Sequence, residues 1–317
     1  MTKKTLSPDE ALRHCQNLIA EGKWQEVFDF CSLILSKPGM YQSQFQYFQL
    51  CAAARLKRDS FVYDTLKDLA DAGFWYSQEL LLKSPSFQGL QEQPVFKDLL
   101  ALHQATFERA RGVAIADPLI FKAKPENLSG QALPAIMLHG NASNAEDEAP
   151  HWRHLSDLGC TLAAPESGQE GLMKSVYNWD DRDATFNVIR QTAARLAVDP
   201  NTPALLAGFS MGGGMAFKAA IHNIVPCRGL ILFGPYLPES PAELDILLKN
   251  DQIFRQDGRI YILAGEQDEL YQPNQDLLHA LKQAGYQCGS KTLSGGHHYP
   301  ANFAQELEEA LAFVLGG

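Results

Sequence analysis

Between residues 203 and 220 two incompatible periodicities meet. Pro203-Ala204-Leu205-Leu206-Ala207 is an unbroken apolar run that suits a short strand buried on both faces of a parallel sheet. Gly213-Gly214-Met215-Ala216-Phe217-Lys218-Ala219-Ala220 then reads as a helix of small residues. The junction is Gly208-Phe209-Ser210-Met211-Gly212. A Gly-x-Ser-x-Gly at a strand-to-helix turn holds its serine in a strained backbone conformation and lifts the hydroxyl clear of the sheet. Glycines on either side let strand and helix approach closely. The five-residue pattern alone is weak; its flanks make it specific.

A serine hydroxyl is a poor nucleophile without a base, so partners are expected further along, in the order acid, then histidine. Arg259-Ile260-Tyr261-Ile262-Leu263-Ala264 reads as another buried strand, followed by Gly265-Glu266-Gln267-Asp268-Glu269. An acid just past a strand end shares the serine's edge of a parallel sheet; Asp268 is chosen, with Glu266 and Glu269 near enough to be rivals. A strand over 287–293 leads into Ser294-Gly295-Gly296-His297-His298-Tyr299-Pro300. This loop can present an imidazole to Ser210; His297 is preferred over the adjacent His298. An oxyanion needs backbone donors, one of them the N–H of Met211. The other is expected after the strand Pro134-Ala135-Ile136-Met137-Leu138, in His139-Gly140-Asn141-Ala142-Ser143, where Asn141 N–H is chosen. His139 itself is read as a buried histidine that shapes this turn.

With these residues in order, the chain from about 113 onward resembles the α/β-hydrolases. It is most similar to small serine esterases of the phospholipase/carboxylesterase and dienelactone hydrolase groups. His139-Gly140, Gly208-Phe209-Ser210-Met211-Gly212-Gly213, the Gly265-x-x-Asp268 acid and Gly296-His297-His298-Tyr299-Pro300 carry the resemblance. It places the catalytic histidine at His297. It implies a doubly wound, mostly parallel sheet and hydrolysis of a carboxylic ester through an acyl-enzyme. Peptidase or acyl-thioesterase activity uses the same residues. The serine stands where dienelactone hydrolases have cysteine, so their particular chemistry is not implied.

The first hundred residues are different: helical apolar spacing, few glycines and almost no β-branched runs. Ser7-Pro8-Asp9-Glu10 is a capped helix start. From Ala11 to Pro38, and again from Gln42 to Gly73, the pattern is helix, tight turn, helix. A period of roughly 35 residues resembles tetratricopeptide hairpins. The stretch through Phe74, Trp75, Leu80, Phe87, Leu90 and Phe96 to Leu100 is read as a cap on the array. An all-α helical-hairpin domain over 1–112 and a catalytic domain over 113–317 are therefore expected, with 113–115 and 119–121 as an antiparallel edge hairpin. The helices offer a surface for a protein partner or self-association. A competing reading makes them an interaction module on an inactive hydrolase domain.

A net charge of −10 argues against nucleic acid or an anionic membrane as partner. The expected ligand is a small ester or acyl substrate. Six scattered cysteines without a CxxC pair read as buried thiols in a reducing, cytoplasmic setting. His151 and His154 near Glu146, Asp147 and Glu148 read as a surface helix, so no metal is expected, and no phosphate cradle calls for a cofactor. Asp181 is expected to cap the helix before the strand at 203–207. Tyr177, Asn178 and Trp179 are the candidates for a pocket wall, and Glu166-Ser167-Gly168 lies on the same edge.

Overall fold

Ser7 begins the first helix with reciprocal bonds. Its hydroxyl accepts from Glu10 N–H at 3.2 Å, and the Glu10 carboxylate accepts from Ser7 N–H at 2.8 Å. The computed structural model describes residues 6–110, 117–124, 126, 130–250, 254 and 258–316. Two units result, Met1–Ala114 with Glu170–Val176, and Ile115–Gln169 with Tyr177–Gly317. The expected boundary at 112/113, the first half of the edge hairpin and most of the 125–130 turn lie outside the described residues.

The first unit holds α1 (Pro8–Ala20), α2 (Trp24–Leu35), α3 (Gln42–Arg55), α4 (Asp59–Asp71), α5 (Gln78–Lys83) and α6 (Pro94–Ala110). Gly22 and Gly73, at φ +71° and +76°, lie in the turns that end α1 and α4. Ala11, Cys15 and Leu18 of α1 pack with Val27 and Cys31 of α2 and with Phe45 and Ala52 of α3. Leu50 and Ala53 of α3 instead join Val62, Leu66, Phe87 and Phe96, so α3 is buried on two faces.

Met173 and Val176 belong to that second cluster. They arrive on a strap, 170–176, whose backbone is tied to the turn before α5. Ser77 N–H donates to Leu172 O at 2.8 Å and Lys174 N–H to Trp75 O at 3.0 Å. Lys174 Nζ donates to Gly73 O at 3.0 Å. Nothing in the local sequence marks these seven residues as part of a helical core.

The second unit is built on β1 (Leu119–Phe121), β2 (Leu133–Leu138), β3 (Cys160–Ala164), β4 (Ala204–Phe209), β5 (Cys227–Phe233), β6 (Arg259–Gly265) and β7 (Gln287–Leu293). Their order is β1-β3-β2-β4-β5-β6-β7. Only β1 is antiparallel, pairing Leu119 with Ala164. Helices α7 (Ala145–Trp152), α8 (His154–Asp157), α9 (Arg182–Arg195), α10 (Ser210–Ile221), α11 (Pro241–Asn250), α12 (Tyr271–Gln283) and α13 (Phe303–Leu315) surround it. Asp181 caps α9, accepting from Ala184 N–H at 3.0 Å.

Alternate residues of each central strand enter opposite cores, which is why these strands read as continuous apolar runs. Ile136, Leu206, Leu232 and Ile262 pack with α9, α10 and α12 through Ile189, Phe217 and Leu281. Ala135, Leu205, Phe233 and Leu263 pack with α7 and α13 through Trp152, Leu307 and Leu311. Register aligns Leu138 with Gly208, Phe209 with Phe233 and Gly265 with Leu293. The loops that follow these strands therefore share one edge, where open α/β sheets bind ligands. Among the described residues no helix is long and apolar enough to cross a membrane.

Candidate active site

Ser210 is the first residue of α10 and adopts φ +53°, a left-handed conformation unusual for a residue with a Cβ. Close packing explains how the strain is held. A Cβ on Gly208 would lie 2.6 Å from Gly212 C, and one on Gly212 would lie 2.2 Å from His139 O. The turn thus presses against the end of β2 and leaves no room for side chains on its flanks. Tyr236 N–H donates to Ser210 O at 2.9 Å and ties the loop after β5 to the serine.

Asp268 lies just beyond β6, where Asp268 N–H donates to Gly265 O at 3.1 Å. Gln267 N–H donates to Gly295 O at 2.8 Å, so the acidic turn and the histidine loop are joined. His297 Nδ1 lies 2.6 Å from Asp268 Oδ2. The second carboxylate oxygen accepts from Leu270 N–H at 2.8 Å. With Nδ1–H donating to a buried carboxylate, Nε2 is the acceptor nitrogen of the neutral ring. The His297 ring stacks on Phe209, centroids 4.5 Å apart, next to Ser210 in the chain. Gly234, at φ +49°, gives this pair its space: a Cβ there would lie 3.2 Å from both Asp268 Oδ2 and His297 Cε1. His298 folds back on its own loop, its Nε2 accepting from Gly296 N–H at 3.3 Å. Glu266 and Glu269 are exposed.

Asn141 stands exposed in the turn after β2, and the contact between Gly212 and His139 O brings that turn against the start of α10, where Met211 lies. The next residue, Ala142, is left-handed at φ +54°, and its N–H donates to Asn178 Oδ1 at 3.3 Å. Tyr177 N–H donates to Ser143 O at 2.8 Å. Tyr177 and Asn178 are half-buried. Trp179 does not form a pocket wall. It is 1% exposed and packed in the core, with its indole N–H donating to His139 O at 2.8 Å. An indole this size finds more apolar contact inside than on a loop, and its one donor is satisfied there.

His139 is fully buried, as a turn-shaping residue should be. Its ring nitrogens meet Glu166 Oε1 and Gly140 O, each at 2.7 Å. Nearby, Tyr299 O–H donates to Glu148 at 2.5 Å and Trp152 N–H donates to Tyr299 Oη at 3.0 Å. Burial raises the Glu148 pKa. Sequence reasoning gave Glu166 no partner, although its place directly after β3 was the available signal. It missed Asn274, which is 1% exposed and donates to Pro235 O at 3.2 Å and Leu270 O at 2.6 Å, joining the loops beside Ser210 and Asp268. An asparagine on a helix face carries no such signal until its neighbours are known. His151 stacks on Tyr299 at 4.0 Å, and His154 Nε2 bonds Glu308 at 2.8 Å.

No family model matches the chain, and no curated protein matches it. Solved structures do. An uncharacterized protein from Bacillus cereus ATCC 10987 is 22% identical, with 98% of this chain and 99% of that one covered at a TM-score of 0.53. An S-formylglutathione hydrolase from Staphylococcus aureus is 16% identical, covering 65% of this chain and 98% of that one, at 0.46. A carboxylesterase from Mesorhizobium loti is 19% identical, covering 57% and 88%, also at 0.46. The first likeness shows a fold shared over both units. With its serine turn on the carboxyl edge of a mostly parallel sheet and its antiparallel first strand, the second unit has the α/β-hydrolase fold, preceded by an all-helical unit.

Proposed function

We propose that the chain is a serine hydrolase that cleaves a carboxylic ester through an acyl-enzyme. Ser210 Oγ attacks the carbonyl carbon while His297 Nε2 takes its proton. Asp268 fixes the tautomer and steadies the imidazolium that forms. The N–H groups of Met211 and Asn141 receive the oxyanion. His297 then returns its proton to the leaving alcohol, and a water molecule, deprotonated by the same ring, releases the acid. The observation that carries this reading is the 2.6 Å pair of His297 with the buried Asp268 carboxylate. Its ring stacks on Phe209, beside a serine held at φ +53°.

The helical unit is read as a degenerate tetratricopeptide-like array, a surface for a protein partner or a second copy of the chain. In support, α1 and α3 begin 34 residues apart, and α2 and α4 begin 35 apart.

The test is labelling of the full-length protein with a fluorophosphonate probe, beside Ser210→Ala and His297→Ala. Labelling of wild type that is lost in both variants is expected. A panel of p-nitrophenyl esters, acyl thioesters and peptide amides then ranks the leaving groups, with esters expected fastest. A folded wild type that is neither labelled nor active on any of them overturns the reading.

A further inference from the structure

The ring of His139 is surrounded by acceptors. Gly140 O can only accept, so Nδ1, 2.7 Å away, carries a proton. Nε2 faces Glu166 Oε1 at 2.7 Å. This is a close contact of charges and not an aligned hydrogen bond, and a bare Nε2 lone pair at this distance would be repelled by the carboxylate of Glu166. Its Oε2 accepts from Ala145 N–H at 3.1 Å, and its Oε1 accepts from Ser167 N–H at 3.0 Å. Both of its oxygens are therefore already acceptors of backbone donors. The proton therefore belongs to His139, which has both nitrogens protonated. Trp179 adds to this, its ring centroid 4.7 Å from that of His139, within the range in which an indole face attracts a cation. Desolvation opposes charging the ring, but Glu166, with the Gly140 carbonyl, outweighs it and raises the His139 pKa. The other carboxyl facing the ring is Glu148 of α7, which is held by Tyr299 from the histidine loop.

We propose that His139 is a positioning residue, kept as a buried imidazolium by Glu166, that holds the 139–142 turn against the start of α10 during acyl transfer. This rests on the serine hydrolase reading of Ser210. The mechanical path is short. His139 O is the atom that a Cβ on Gly212 would strike at 2.2 Å, so a displaced turn moves directly on the elbow. Asn141, the proposed oxyanion donor, lies two residues further on. Neutralising the ring removes the charge that pairs with Glu166 and releases that carboxylate from its partner. The turn then loses its fixed place, and transition-state stabilisation suffers more than ground-state binding.

The experiment is a pH titration of side-chain 15N resonances in full-length protein with 15N-labelled histidine, with His139→Gln to assign the signal. One imidazole is expected to keep both protons at a pH where the exposed histidines have lost theirs, and to lose one in Glu166→Gln. A wild-type titration in which no imidazole keeps both protons beyond the pH at which the exposed histidines lose theirs overturns the proposal, whether or not either variant folds. The companion readout is the pH profile of p-nitrophenyl ester turnover. In Glu166→Gln the alkaline limb moves to lower pH and kcat falls roughly 10- to 100-fold while KM stays within about twofold. An unmoved limb overturns the positioning role, whereas a merely structural loss would lower activity equally at all pH values. Fluorophosphonate labelling of wild type reads the underlying function separately. A protonated His139 in a protein whose Ser210 is unreactive would remove the catalytic half of the proposal and leave the ion pair.

Discussion

Each unit contains a histidine with no exposed surface, and the two are opposites. His103 on α6 receives Tyr76 N–H at Nδ1, 3.0 Å away, and gives its Nε2 proton to Leu66 O at 3.0 Å. One donor and one acceptor fit the neutral ring, and burial pushes its pKa down to about 4. His139 meets two acceptors and is pushed the other way. Burial makes charge costly in both places, yet the partners decide the protonation state. In the helical unit the ring joins α4, α6 and the turn before α5. In the second unit it lies in the turn that packs against the start of α10.

The largest effect that would sharpen this contrast belongs to the chemistry itself. Ser210→Ala should lower ester turnover by about 10⁴-fold or more with an unchanged melting temperature. A smaller loss, measured on active-site-titrated protein, would mean that another nucleophile serves. Gly212→Ala comes next, because its Cβ would meet backbone rather than a side chain that can swing away. Stability should fall by about 3 kcal/mol, the upper part of the overpacking range, with turnover down about 100-fold. Denaturant melts and initial rates check the two parts.

The helical unit should respond differently. His103→Gln leaves buried backbone groups poorly matched, which should cost about 2 kcal/mol without changing the rate of fluorophosphonate labelling per folded molecule. The pH signs also separate the regions. The unfolded His103 takes its proton near the ordinary value of 6.5 and the folded one only near 4. Stability therefore falls as pH drops from 6.5 towards 4, by on the order of 3 kcal/mol. His139 has a raised folded pKa, so its contribution is complete below 6.5 and is lost as pH rises through the folded value. Melts of wild type and His103→Gln across this range would break the comparison if the variant kept the wild-type acid dependence. The smallest effect is expected from the exposed acids. Glu266→Gln and Glu269→Gln should each change kcat/KM by less than about twofold, and a large loss in either would move the acid away from Asp268.

Much of the fold was legible because its signals are local. Strand β4 and helix α10 differ in period over adjacent residues, Ser7 and Glu10 bond within one turn, and Asp181 caps the helix it precedes. Strand ends then bring Ser210, Asp268 and the 294–300 loop to one edge. Trp179 was misjudged because a loop residue next to that edge can turn inward or outward, and only the space beneath His139 settles the choice. The 170–176 strap was invisible for a similar reason. Met173 and Val176 are ordinary apolar residues whose core lies about a hundred residues earlier in the chain.

By itself, then, the sequence determined the order of strands and helices, the strained serine turn and the short list of acids and histidines around it. These follow from hydrogen bonds and periodicities that span a few residues. Tertiary structure decided that His297 and not His298 meets Asp268, that Trp179 braces the 139–142 turn from within, and that His103 finds one donor and one acceptor where His139 finds two acceptors. Each of those outcomes depends on donors, acceptors and volume brought from segments far apart in the chain, and such partners exist only once the sheet has assembled.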